Sequence, residues 1–208
     1  MPRPPRHRDA IVQAAARLFR RHGYAATGMA RIVADSGAPR GSVYHYFPGG
    51  KPEIGEAAVD FSGELVRRSL QSLADRGDGP GDLLRAYAGQ LAGWMAQSEF
   101  RDGCPIATIL LEAATDEPRI RAAGARAGAA WTRILATRLR EHGVGPRRAR
   151  RLALTAIAAL EGSLIQARVG ADATPILEVA EEIGGLFDAA VAQCPRETGI
   201  PGQGMVSA

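Results

Sequence analysis

Apolar residues in this chain recur every three or four positions almost from end to end, and no stretch alternates as a half-buried strand would. That period commits the chain to packed helices. Ile11, Ala14, Ala15, Leu18 and Phe19 follow the i, i+3, i+4, i+7, i+8 spacing of a single helix face, and Gly23 stops that helix after His22. A short second helix starts near Thr27–Gly28, turns Met29, Ile32 and Val33 inward, and ends at Ser36-Gly37, where glycine suits a left-handed turn. Pro39 suits the first turn of a third helix, which carries Val43 and Phe47 inward and stops at Pro48-Gly49-Gly50.

Two short helices across a glycine turn, braced by a first one, make a helix-turn-helix. Beyond residue 51 the period predicts helices at 53–75, 81–98, 105–115, 118–142, 147–169 and 174–193, separated by Gly- and Pro-rich breaks. The fold class expected is all-α, with a head over 1–51, a helical body over 52–194 and a frayed tail over 195–208, rich in Gly and Pro.

Charge divides the same way. The chain is +4 overall, but residues 1–51 hold Arg3, Arg6, Arg8, Arg17, Arg20, Arg21, Arg31, Arg40 and Lys51 against Asp9 and Asp35. A net +7 in the head leaves −3 in the body. A basic head suits a polyanion, although an arginine-rich solvated surface gives the same count.

No apolar run reaches the roughly 18–20 residues of a membrane span, and no secretory apolar core follows the basic start. Cys104 and Cys194 are too far apart for a metal or redox motif, so both are read as reduced and no metal or cofactor is called for. The cytoplasm is the expected compartment. His7, His22, His45 and His142 stand near neither Cys104 nor a paired carboxylate in sequence, which argues against an enzyme.

The outward side of the third helix packs Arg40, Ser42, Tyr44, His45 and Tyr46 into less than two turns, with Gly41 permitting close approach. A helix of this size fits the major groove of B-DNA, where arginine bonds guanine and hydroxyls bond bases or phosphates. For Tyr44 and Tyr46 the competing reading is partial burial against the first helix with the hydroxyl at the rim.

The run from Thr27 to Lys51, above all Gly41-Ser42-Val43-Tyr44-His45-Tyr46-Phe47 followed by Lys51, resembles the DNA-binding signature of the TetR family of repressors. The Ser-Gly-Ala-Pro turn, the Phe-Pro-x-Gly-Lys run and Gly103-Cys104-Pro105-Ile106-Ala107 resemble the LmrA/YxaF-like branch. The resemblance implies DNA-contacting roles for Thr27, Gly28, Ala38, Pro39, Arg40, Gly41, Ser42, Tyr44, His45, Tyr46 and Lys51. Arg40 and Ser42 would face bases and phosphates, Tyr44 and His45 the phosphate backbone, and Lys51 a phosphate at the start of the fourth helix. Gly28 stands where many members carry a capping Ser or Thr, and Thr27 is the expected substitute.

Such a head reads one half-site, so two copies are needed on a palindromic, double-stranded operator. The last two long helices, about 147–169 and 174–193, are the expected homodimer surface, with ordinary monomer core as the alternative. Leu152, Leu154, Ile157, Ala158, Leu160, Leu164 and Ile165 would pair with Ile176, Val179, Ala180, Ile183, Leu186, Phe187 and Val191.

Family resemblance places a small hydrophobic effector among the middle helices. The candidate lining is Phe61, Leu65, Leu91, Trp94, Met95, Cys104, Leu110, Trp131, Glu161 and Ile165, although such residues at helical spacing also build plain core. The function expected is a ligand-responsive repressor, released from DNA when the effector shifts the fourth helix. A nucleoid-type binder without an effector, or a ligand-binding protein with a vestigial head, are the rivals.

Overall fold

The computed structural model describes residues 6–194, and the described residues form α-helices and their connections with no strand. The expected fraying tail at 195–208 lies outside the described residues. In the head, α1 (Arg6–His22), α2 (Met29–Ser36) and α3 (Arg40–Tyr46) pack as the period predicts. Ile11, Ala15, Leu18 and Phe19 of α1 share one core with Ile32, Val43 and Phe47, and Ala14 is buried as well. Each large apolar side chain so enclosed contributes about 1.5–3 kcal/mol. Gly37 takes the left-handed conformation (φ 63°) that turns α2 into α3. Pro39 stands one residue ahead of α3, as its cap, rather than within its first turn.

The body contains α4 (Lys51–Ala74), α5 (Pro80–Gln97), α6 (Ala107–Ala113), α7 (Pro118–Glu141), α8 (Pro146–Gly170) and α9 (Thr174–Ala192). Each lies within a few residues of its expected span. The largest change is α6, which is shortened from 105–115 because turns occupy both of its ends.

Small residues bring α4 against α7. A Cβ on Gly63 would stand 2.8 Å from that of Ala127, and the Gly63 carbonyl accepts a hydrogen bond from Trp131 Nε1 at 3.0 Å. Arg119 pairs with Glu56 at 3.1 Å and Arg126 with Asp60 at 2.9 Å, so the two helices run side by side in the same direction.

Helix α9 crosses α5 in the opposite sense. Arg85 lies across Gly184 and reaches both Glu181 and Asp188 at 2.9 Å.

Burial sorts the side chains considered for a dimer. Leu152, Leu160, Leu164, Ile176, Ala180 and Phe187 are core of the single chain. Leu154, Ile165, Val169, Leu177 and Leu186 face outward, with Ala158 beside them, while Ile157, Val179, Ile183 and Val191 are half-buried. One 18-residue window of α8 is apolar enough to cross a bilayer by composition, with a mean hydropathy of 1.3. That helix packs against α7 and α9, and its first turns carry Arg147, Arg148, Arg150 and Arg151.

Candidate DNA-facing surface and effector cavity

Helix α3 presents its polar side outward because Val43 and Phe47 anchor the other side in the head core. Arg40, Gly41, His45 and Tyr44 (48% accessible) are exposed, and Ser42 is half-buried. Arg40 makes no side-chain hydrogen bond or ion pair among the described residues, which leaves its guanidinium available. Tyr46 is half-buried against the core and meets His45 edge-on, with 5.2 Å between ring centroids. Rim burial therefore fits Tyr46, while Tyr44 stands clear.

Pro39 and Gly28 are exposed, but Ala38 is buried. Thr27 is fully enclosed, and its hydroxyl donates to the Gly23 carbonyl at 2.7 Å. The expected capping by Thr27 is thus corrected. Its oxygen is committed backward to the end of α1, and α2 starts after Gly28 with no side-chain cap. A helix start of this kind offers backbone N–H groups to an anion.

Lys51 opens α4 but is not a free-standing cation. Its Nζ lies 4.4 Å from the centre of the Tyr24 ring and donates to the Ala25 carbonyl at 3.3 Å. Burial lowers its pKa, and the Glu112 carboxylate opposes that shift. Tyr24 is pushed up to about 12, mainly by burial and further by Glu117. Glu112 also accepts from the Ala25 amide at 2.7 Å, and this ties the loop before α2 to α6.

Several other head cations have structural partners. Arg17 pairs with Asp35 at 3.0 Å, Arg31 meets His22 at 2.9 Å, and Arg8 covers the Phe47 ring. The charge excess of the head is therefore partly internal bracing.

In the body, a cavity of about 870 Å³ opens between α4, α5, the segment joining α5 to α6, and the end of α1. Of the residues expected at an effector site, Leu65, Leu91, Trp94, Met95 and Cys104 line it. A second space of about 30 Å³ adjoins it through the shared Val66, Leu91, Cys104, Pro105 and Leu164, and there Trp131 and Glu161 are found. Phe61, Leu110 and Ile165 line neither. Phe61 and Leu110 pack into the helix contacts, the latter against Gly124, while Ile165 is 64% accessible on the outer side of α8.

The adjoining space is lined by three titratable side chains, Tyr87, Cys104 and Glu161. The Glu161 carboxyl is raised in pKa by desolvation, which a hydrogen bond with the Cys104 thiol partly offsets. The Cys104 thiol is pushed up by burial and by Glu161, and the Tyr87 hydroxyl by burial, Cys104 and Glu161. Tyr87 meets Trp94 edge-on at 6.5 Å. Such a site can bond a polar group of a ligand at its inner end and stack an aromatic ring at its mouth.

Sequence reading missed the polar wall formed by Arg20, Arg21, Arg68, Ser69, Gln90, Glu99, Arg101 and Asp102. Part of that wall is strained. Glu99 and Phe100 are consecutive side-chain-bearing residues in the left-handed region (φ 52° and 57°), a conformation costing roughly 1–2 kcal/mol each. A bond from the Phe100 amide to the Met95 carbonyl at 2.8 Å holds them. No signal in the sequence marks this turn, since neither residue is glycine or asparagine.

Residues 11–58 match the family model for bacterial regulatory proteins of the tetR family, and residues 80–182 match the C-terminal domain of LmrA/YxaF-like transcriptional regulators. Over 185 residues the chain is 37% identical to the HTH-type transcriptional regulator Rv0196 of Mycobacterium tuberculosis (strain ATCC 25618 / H37Rv), covering 86% of this chain and 93% of the relative. It is 29% identical over 180 residues to the HTH-type transcriptional regulator LmrA of Bacillus subtilis (strain 168), covering 86% and 96%. The fold is similar to regulatory protein TetR from Rhodobacter sphaeroides, with a TM-score of 0.75 at 24% identity over 86% of this chain and 97% of the other. It is also similar to Thermus thermophilus FadR, a TetR-family repressor in complex with lauroyl-CoA, with a TM-score of 0.58 at 25% identity over 94% and 100%. With a tetR-type head, an LmrA/YxaF-like body and relatives aligned over most of their length, this chain belongs to the TetR family of transcriptional regulators, in its LmrA/YxaF-like branch.

Proposed function

We propose that this protein is a homodimeric repressor that leaves a palindromic operator when a small hydrophobic molecule fills the cavity beside Trp94. The observation carrying this reading is the pairing of two features in one chain. A polar, unengaged helix face stands at one end, and a cavity of about 870 Å³ bordered by the last turn of α1 lies behind it. Arg40 is the base-reading side chain, Tyr44 and His45 meet phosphates with the amides at the start of α2, and Ser42 assists from its half-buried place. Lys51 positions Tyr24 and Ala25 first and meets a phosphate second.

The outward apolar residues of α8 and α9 support a dimer through those helices. Among the described residues, nothing covers Leu154, Ile165 and Leu186. The lauroyl-CoA complex of FadR is consistent with an apolar effector for a body of this shape. A regulator of this kind works beside the chromosome, in the cytoplasm, and carries out no reaction of its own.

Binding of the purified protein to DNA fragments from around its own gene, across a range of salt, tests the reading. Selection of a palindromic fragment, lost in Arg40→Ala and falling steeply with salt, is the expected result. Equal binding to every fragment at all salt concentrations would sink the regulator reading.

A further inference from the structure

The wall of the cavity joins the head to the body. Arg20, in the last turn of α1, lines it together with Arg21, and Arg20 Nη2 stands 2.7 Å from the carboxylate of Asp102. Arg20 Nε is enclosed and has no hydrogen-bond partner among the described residues. A guanidinium presents its donors as a rigid fork, so a single carboxylate contact leaves much of this one unanswered. The acidic partner is weakly held in turn. Asp102 follows the left-handed pair Glu99 and Phe100, and its amide donates to Ser98 Oγ at 3.3 Å. Of the other arginines in the cavity wall, Arg68 pairs with Glu64 and Arg101 with Glu99, both at 2.8 Å, and Arg21 beside Arg20 makes no ion pair among the described residues.

We propose that Arg20 recognises an acidic or strongly hydrogen-bond-accepting group of the effector and releases Asp102 in doing so. The occupant of the cavity then replaces this one ion pair between α1 and the body, while the packing of α1 on α4 remains. This deepens the effector reading above and rests on it. The ligand class is an aromatic or otherwise apolar skeleton bearing a carboxylate, sulfonate or phenolate at one end. Its skeleton lies along Leu65, Leu91, Trp94 and Met95, and its acceptor meets Arg20 in a charge-assisted contact. Coupling to the head follows because a ligand moves an equilibrium only through contacts that differ between its two states. Arg20 makes one contact with Asp102 in place and a different one with the ligand in place.

Two dyes test this with the full chain. Anilinonaphthalene sulfonate and its sulfonate-free parent phenylnaphthylamine share one ring system, so the acceptor is their only difference. Arg20→Met is expected to weaken the sulfonate about tenfold or more, the loss of one charge-assisted contact, and to leave the parent amine unchanged. Arg20→Lys recovers part of that affinity. Asp102→Asn, which removes the competitor, tightens the sulfonate and leaves the amine alone. Amide hydrogen exchange at residues 17–24 rises on sulfonate binding in the wild type and stays flat in Arg20→Met.

Equal losses for both dyes in Arg20→Met, or no change on removing Asp102, overturn this inference and leave the effector cavity standing. Failure of both dyes to bind the wild type overturns the inference together with the cavity reading, while operator selection is measured separately. Should Arg20→Met lose its helical circular dichroism, Arg20→Lys and Asp102→Asn decide the question.

Discussion

Glu161 projects from α8 between the buried Leu160 and Leu164, with the Cys104 thiol against its carboxyl. Burial raises its pKa in the folded protein above the ordinary value of 4.5. The folded state therefore holds this proton more firmly than the unfolded chain does. The resulting stabilisation is complete below the unfolded value and is lost as pH rises through the folded one. Thermal melts of the wild type and Glu161→Gln should thus coincide best near pH 4 and separate towards pH 8, with the glutamine variant the more stable there. A constant offset between the two curves would contradict this. Thr27 gives a second prediction at the same scale. Thr27→Val keeps the volume and removes the donor to the Gly23 carbonyl, so unfolding by urea should show a loss of about 1–3 kcal/mol. An unchanged midpoint would mean that the buried carbonyl finds another partner.

Among the elements, the contact of α4 with α7 depends on missing side chains. The Cβ added by Gly63→Ala would meet that of Ala127, which has no rotamer to swing away, and the Trp131 bond to the Gly63 carbonyl crosses the same place. Overpacking of this kind costs about 1–3 kcal/mol. The melting temperature should fall, and Trp131 fluorescence should shift to the red as its ring loses cover. Gly184→Ala is the contrast, because its neighbour is the flexible Arg85 guanidinium, and it should be tolerated better.

These helices were legible in the sequence because a face repeats every three or four residues. So were the C-terminal stops of two head helices at Gly23 and Gly37, whereas the start of α2 was not, since Thr27 does not cap it. The meeting of helices was not legible in the same way. Period tells which side of α1 is apolar, yet nothing in it says that Arg20 reaches Asp102, 82 positions later. The cavity was half legible for that reason. Trp94, Met95, Leu91, Leu65 and Cys104, picked by residue type on the helices where the family resemblance puts an effector, do line it. Arg20 and Arg21 of its wall were counted instead with the charge of the head. Phe61, Leu110 and Ile165 were candidates by residue type alone, and type does not report which way a helix is rotated.

At the scale of the molecule, the proposed dimer rests on the outward apolar faces of α8 and α9. Leu154→Glu together with Leu186→Glu leaves the core residues Leu152 and Phe187 untouched. Light scattering should then report a monomer with wild-type helical content, and operator affinity should collapse because one head reads one half-site. A dimer that survives both charges would place the interface elsewhere. The wild type should also melt at a temperature that climbs with protein concentration, since association adds to the stability of the folded state.

The cavity lining and the outward face of α3 have no residue in common. If the cavity takes the effector and α3 reads the operator, as proposed, mutation can retune what the protein detects without altering where it sits on a chromosome, and the reverse holds as well. Duplicated copies of such a gene are free to diverge along two separate axes, and a laboratory can select new sensors from this scaffold by diversifying α4 and α5 while keeping one reporter. Arg20 and Arg21 are the exception. They belong to the head by sequence and to the cavity by position, so lineages that change chemical taste drastically should show their compensating substitutions there.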